Sequence, residues 1–342
     1  MEFTSVDTLD HAKALVDCVY SVYGLTFHRE YVYYPERLLE LNRRAHLRSF
    51  IALDGGRVVG HLAWIRPFFE LQRNGEPLSD DRIGEVGLSI VRPEYRSQHV
   101  QTYLAMAMTG WVRERGGVGG FMKCVTHHLY SQRTAARLGG KPLTFFLAGV
   151  PKWVVYDDAP GERRDPISTI LFYTPVRPLE TAPVRVPTAT PWLGELVRSS
   201  GLLRQFADDG ALEDGPTDLE IEFAPGKHIA QVHVLHAGAD VFDRIAAESA
   251  WLLRGHMKHV SFFLPASSAR LQRGAGALLE QGLIPGGFIP GLHAGGRDVF
   301  VWQAIKYDDL DVGALQVHGS DGEWLKQRVA EAWQARPVVD RP

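Results

Sequence analysis

A run of helix, strand and helix that occurs twice constrains this chain more than any other feature. In the first half, VQTYLAMAMTGWVRERGG is an amphipathic helix with a glycine stop, GGFMKCVTH a strand and SQRTAARLGG a short helix. In the second half VFDRIAAESAWLLRG, HVSFFLP and SSARLQRGAGALLEQG repeat that order. About 43 residues separate Arg96 from Gly139 and, again, Ala239 from Gly282. LTFFLAGVP and GGFIPGLH then follow at matching places, so the pattern reads as a tandem duplication of an α/β layer unit.

The flanking sequence fills in the units. HAKALVDCVYSVYG places Ala14, Leu15, Cys18, Val19 and Val22 at helical spacing before Gly24, and PERLLELNRRAHL predicts a second helix with Pro35 in its first turn. SFIALDGGRVVGHLAWIRP is a hairpin around Asp-Gly-Gly, and IGEVGLSIVRP a strand stopped by Pro93. ISTILFYTPV is a strand after a Pro-, Gly- and Asp-rich loop; HIAQVHVLHAGAD and DVFVWQAI are strands of the second half, and GEWLKQRVAEAWQ is a closing helix. RPLETAPVRVPTATP, rich in Pro and Thr, marks a boundary. The expected organisation is a first domain over 1–178, a linker at 179–191, a second domain over 192–310 and a helical tail over 311–342.

Composition narrows the partners. A length of 342 residues with 45% hydrophobic and 23% charged content supports two cored domains, and a net charge of −3 without a basic run argues against nucleic acid. No apolar run approaches the roughly 20 residues of a membrane span. Two cysteines, Cys18 and Cys124, form no disulfide framework, and MEFTSVDTLDHAK has no apolar signal core. The expectation is a cytoplasmic protein that acts on small molecules.

RPEYRSQHVQTYL, Arg92 to Leu104, has the outline of a phosphate-cradling turn between strand and helix, yet it has no glycine. VRPEYR after a strand, followed by helix, strand and a short helix ending in Arg-Leu-Gly, resembles the GNAT superfamily of N-acetyltransferases. The resemblance covers most of Cys18 to Val176 and, more faintly, Asp218 to Ile305. It implies two tandem α/β domains, each a mixed, mostly antiparallel central sheet flanked by helices, with a degenerate C-terminal repeat. It also implies acetyl-CoA or another acyl-CoA as co-substrate, whose pyrophosphate is held by backbone N–H groups in a loop of the pattern Arg-x-x-Gly-x-Gly. Those positions here are Arg96, Ser97, Gln98, His99, Val100 and Gln101, so both glycines are replaced. His99 and Gln101 oppose close backbone approach, whereas the aligned donors of a helix N-terminus remain and Ser97, Gln98, His99 and Thr102 add side-chain donors. Ile90 and Val91, at the end of the preceding strand, and Ser131 complete the expected donor site.

Thr126, His127, His128, Leu129, Tyr130, Ser131 and Gln132 resemble Thr-Asn-His-x-x-Ser-Gln of a bacterial subgroup, with His127 in place of Asn. The tyrosine that serves the family as general acid has no counterpart at His128 or Ala135. Acyl transfer to an amine needs a base for the attacking ammonium and an acid for the departing thiolate. Glu85 stands where the family often keeps its carboxylate base. His127 or His128 can act as base or acid near neutral pH, and Tyr130 is a substitute acid. A zinc site is not expected, because no further His or Cys lies at ligand spacing, and Cys124 inside FMKCV reads as a buried thiol. Tyr20, Tyr23, Phe27, Tyr31, Tyr33 and Tyr34 supply core and wall together, with Tyr31, Tyr33 and Tyr34 the candidates for the acceptor side. The loop HAGAD of the second half has Gly238 but no arginine at the phosphate position.

The reading is an acyl-CoA dependent N-acyltransferase for a small amine or amino acid. Three alternatives stand beside it: a non-catalytic ligand sensor, a transferase that uses a carrier-protein or aminoacyl-tRNA donor, and other chemistry on an acyl thioester such as decarboxylation.

Overall fold

Helix α1 (Leu9–Tyr23) shows how closely local chemistry sets the elements. Thr8 caps it by accepting a hydrogen bond from the His11 N–H, Ala12, Leu15, Cys18, Val19 and Val22 face the core, and Gly24 ends it in the left-handed region. The computed structural model describes residues 1–27, 29–69, 71–73, 76–150, 166–307 and 310–337, so the Pro-, Gly- and Asp-rich loop read at 151–165 lies outside the described residues, as does the end of the tail. Helix α2 (Pro35–Arg43) begins on its proline but is shorter than PERLLELNRRAHL predicts. Asn42 is the reason: its buried amide donates to Leu38 O and accepts from Ser49 N at 2.7 Å, which bonds the helix end to the next strand and leaves Leu47 to begin it.

The described residues divide into two units, 1–123 and 124–150 with 166–337. In the first, β1 (Glu2–Ser5), β2 (Leu47–Asp54), β3 (Arg57–Ile65) and β4 (Ile83–Val91) pair antiparallel in that order, and β4 pairs parallel with β5 (Gly119–Val125), inside which the division falls. Leu47 and Ile51 share a core with α1 and α2, while Phe50, on the other face of β2, meets Trp111 of α3 (Val100–Glu114) edge-on at 6.0 Å. Gly84 and Gly120 are direct partners across β4 and β5, and a Cβ on either would strike the Trp64 indole, at 2.1 and 2.8 Å. Two glycines facing each other thus make room for one tryptophan.

In the second unit α4 (Tyr130–Arg137) leads to the hairpin β6 (Lys141–Val150) and β7 (Ile167–Pro175). After α5 (Trp192–Ser199) come β8 (Asp218–Ala224), β9 (Ile229–His236), α6 (Val241–Arg254), β10 (His259–Pro265), α7 (Ala269–Gly274), α8 (Gly276–Glu280), β11 (Ile284–His293), β12 (Arg297–Ile305) and α9 (Gly319–Ala335). The strands lie in the order β7-β6-β11-β12-β10-β9-β8; only β9 and β10 are parallel. Both units are therefore α/β, with mixed, mostly antiparallel sheets flanked by helices. The two hairpins are sewn together by buried polar groups: Gln303 accepts from Leu147 N and donates to Phe145 O, and Thr144 donates to Phe288 O at 2.9 Å. The connection read as a linker is anchored at Leu179 and Thr181 through a buried Arg204–Asp298 pair at 2.7 Å.

β1, α5 and β8 have no counterpart among the sequence expectations, and SSARLQRGAGALLEQG is two short helices that meet at Ala275. No helix among the described residues is long and apolar enough to cross a membrane.

Two buried histidines make stability pH-dependent. Burial pushes the pKa of His61 down from 6.5 to about 4, against the pull of its bond to Leu88 O. Burial, with Arg297 nearby, pushes His293 down to about 3. The unfolded chain takes up these protons near pH 6.5 and the folded one does not, so their stabilising contribution is present above pH 6.5 and lost as the pH falls toward 4 and 3. The expected loss between pH 7.5 and 5 is about 2 kcal/mol for each, read from urea unfolding. A midpoint that does not move over that range contradicts neutral burial of these rings.

Candidate active site

The site begins where a parallel strand pair comes apart. β4 and β5 pair at Ile83–Gly119, Gly84–Gly120 and Glu85–Phe121, and the pairing ends there. Beyond it β4 carries a bulge: its register against β3 shifts between His61 and Ala63, and Leu88 takes a left-handed φ of 52°. Leu88 O accepts a hydrogen bond from His61 Nδ1 at 2.9 Å in the core, which assigns the proton of this neutral ring to Nδ1.

Glu85, at the last paired position, is largely buried. One carboxylate oxygen accepts from Arg29 Nη2 and the other lies 3.8 Å from Lys123 Nζ. Arg29 also donates to the Tyr31 hydroxyl at 3.2 Å. Burial works against the Arg29 charge, but the Glu85 carboxylate and Tyr31 outweigh it, and the guanidinium pKa is raised. The Tyr31 ring meets Phe69 edge-on at 6.3 Å, and Phe69 stacks on His46 at 5.3 Å. His46 is driven toward its neutral form by burial and by Arg66. Arg29 and Phe69 escaped the sequence reading because each sits in a connection without motif or periodicity, and His46 because its stretch reads as helix while the helix ends at Arg43. Tyr31 thus joins Glu85, whereas the Tyr33 hydroxyl turns inward to accept from Phe27 N and Tyr34 is exposed.

The glycine-free loop keeps the backbone of a glycine turn. Ser97 and His99 have φ values of 67° and 58°, in the left-handed region. His99 immediately precedes α3, and its carbonyl accepts from Thr102 N and Tyr103 N. Arg96, Ser97, Gln98, His99 and Thr102 are exposed, Gln101 is half-buried, and Val100 sends its side chain into the core. Upstream, Ile90 is buried opposite His61, and Val91 pairs with Gly60. The side chains expected to donate are therefore at the surface around the α3 N-terminus, with Val100 able to offer only its backbone.

In the second unit the histidines form a short ring chain. His127 and His128 are 4.4 Å apart centre to centre, and Tyr130 is 5.2 Å from His128. The Tyr130 N–H donates to His128 Nδ1 at 3.3 Å, which places the proton of a neutral His128 on Nε2. Tyr130 is exposed, and Cys124 is a buried thiol that burial pushes up to about 12. Thr126 donates to Ser168 O at 2.8 Å. Among the described residues no group of three or more His, Cys, Asp or Glu side chains is placed to hold a metal ion.

The second half reproduces the strand geometry but not the open helix end. β9 and β10 pair up to His233–Phe263, as β4 and β5 do up to Glu85–Phe121. At the α6 N-terminus, however, Ala239 N donates to Gly215 O, and Asp240 accepts from Thr217 N at 2.7 Å. A Cβ on Gly238 would lie 2.4 Å from Gly215 O, so the chain's own backbone fills the space beside that turn. Glu213, two residues earlier, caps α7 through Ala269 N and Arg270 N.

Comparison with known proteins meets this geometry over the first 139 residues. Residues 14–139 match the model of the Acetyltransferase (GNAT) family. The chain carries a GNAT domain. That family's chemistry is acyl transfer from coenzyme A, and the matched segment holds Glu85, the loop at 96–101 and the histidine turn. No curated protein matches the chain in sequence. Among solved structures, an aminoglycoside 6'-N-acetyltransferase complexed with coenzyme A is 15% identical, over 53% of this chain and 99% of its own, with a TM-score of 0.36. The ribosomal-protein-S18-alanine N-acetyltransferase from Escherichia coli is 11% identical, over 52% and 96%, with a TM-score of 0.39. The ribosomal-protein-alanine N-acetyltransferase from Brucella melitensis is 15% identical, over 51% and 99%, with a TM-score of 0.38. Likeness at this level says nothing of this chain's chemistry.

The two glycine positions of the GNAT loop differ in kind, and that is measurable. His99 is left-handed, where a side chain costs about 1–2 kcal/mol, so His99→Gly is expected to be neutral or stabilising. Gln101 is inside the first turn of α3, so Gln101→Gly is expected to destabilise by about 1 kcal/mol. Thermal melts of the two variants check this; equal losses would contradict the left-handed turn.

Proposed function

We propose that this protein transfers an acyl group, acetyl in the simplest case, from coenzyme A to the amine of a small molecule or amino acid, in a cytoplasmic setting. The donor pyrophosphate would be held at the α3 N-terminus. The observation that carries this reading is the left-handed pair Ser97 and His99, which leads into the first turn of α3 without the glycines that usually permit it. Such a conformation in residues with side chains is retained against its own strain, and an anion held by the first-turn N–H groups supplies a reason. Ser97, Gln98, His99 and Thr102 add hydrogen bonds, and Arg96 adds positive charge.

Glu85 is assigned to the acceptor. Its carboxylate is held by Arg29 and faces Lys123. It suits orientation of an incoming ammonium, with Tyr31 and Phe69 as walls. Proton removal is assigned to His127, and the Tyr130 hydroxyl is assigned the proton for the departing sulfur. The second half serves as scaffold: Gly215 to Thr217 and Asp240 occupy the helix end that would take a second donor.

The test is thiol release from acetyl-CoA with a panel of primary amines and amino acids. His127→Ala is expected to lower kcat by roughly 10²-fold with the KM for acetyl-CoA unchanged, because general-base contributions are of that size. Glu85→Gln is expected to raise the acceptor KM more than it lowers kcat. Acetyl-CoA binding without turnover for any acceptor would replace this reading with a sensor, and no binding at millimolar acetyl-CoA would remove coenzyme A as the donor.

A further inference from the structure

We infer that the segment ahead of α9 holds the histidine turn in its working shape, with Gln132 as the positioning residue that couples the two. The inference rests on the histidine turn being part of the acyl-transfer site proposed above.

Gln132 is fully buried on α4 and spends its whole amide on this contact. Its Nε2 donates to Val125 O at 2.9 Å, to Gln316 O at 2.9 Å and, at 3.2 Å, to His128 O. Its Oε1 accepts from His318 N at 3.0 Å. Gln316 N in turn donates to Thr126 O at 2.8 Å. Carbonyls on both sides of His127 and His128 are therefore tied to one side chain and to residues 316–318, which lie 184 and 186 positions away from Gln132. The segment is itself fixed: Lys326 donates to Leu315 O, Val317 is buried, and α9 is ion-paired to β6 through Asp321 and Lys141 at 2.9 Å.

Bonds to backbone on either side of two adjacent residues fix the path of the turn and hence where both rings point. A hub of this kind admits one arrangement, because a partner lost from a buried amide leaves other polar groups unsatisfied. The Gln132 bonds all go to backbone, so it acts on the rings through the backbone that carries them. The histidine turn is then completed by residues 316–318.

The experiment uses the full-length protein with Gln132→Leu and, because that variant can fail to fold, with His318→Pro, which removes the one N–H given to Gln132 Oε1. Ring Cε1–H resonances of His127 and His128 are followed by NMR, alongside acetyl-CoA thiol release with the acceptor panel. The expected result is displaced resonances for both rings in each folded variant and a kcat at least about tenfold lower, with the KM for acetyl-CoA within about twofold of wild type. Unmoved resonances overturn the coupling, and so do moved resonances with unchanged kcat. If wild type itself turns over no acetyl-CoA, the acyl-transfer reading fails, and the resonances still decide whether Gln132 and the tail set the turn.

Discussion

The parting of two parallel strands after Glu85 and Phe121 is the constraint on which the rest depends. Parallel strands joined through a helix stay paired only while side chains on both faces allow it. Here the pairing holds where Gly84 faces Gly120 and Trp64 lies across both. Past that point a bulge turns β4 away, with Leu88 left-handed and bonded to His61. Glu85, Arg29 and Tyr31 collect at the last paired position. β9 and β10 obey the same geometry up to His233 and Phe263, but their splay encloses a buried pair, His233 and His293, at 3.1 Å.

A phosphate-binding turn needs a conformation rather than a residue. Glycine reaches the left-handed region at no steric expense; Ser97 and His99 reach it at about 1–2 kcal/mol each. What the larger side chains add is donors and, at His99, a titratable ring. The second half took the opposite course, with a glycine kept at position 238 and the helix end closed by Gly215 to Thr217. The two helix ends thus differ: one has the left-handed turn without glycine, the other has a glycine and backbone filling the space beside it.

Much of this was legible in the sequence. The spacing in HAKALVDCVYSVYG, the Asp-Gly-Gly hairpin and the 43-residue recurrence of helix, strand and helix each follow from local chemistry that needs no partner. The misses are of another kind. β1 is four residues long, with two of them exposed, too short to show alternation. α2 stops early because buried Asn42 binds Ser49, and no propensity encodes that. Arg29 meets Glu85 across 56 residues of chain, and Gln132 meets Gln316 across 184. Such pairs are fixed by tertiary approach and leave no periodic trace. The loop at 96–101 was legible as a departure from a pattern, but residue type alone could not say that His99 is left-handed while Gln101 is helical.

Hydrogen exchange of the full-length protein with and without coenzyme A tests the central claim most directly. Donor binding at the α3 N-terminus should slow exchange of the amides between Ser97 and Tyr103, and leave those between Ala239 and Asp243, at the closed end of α6, unchanged. No added protection at 97–103 with coenzyme A bound, or protection at 239–243 instead, would contradict the account.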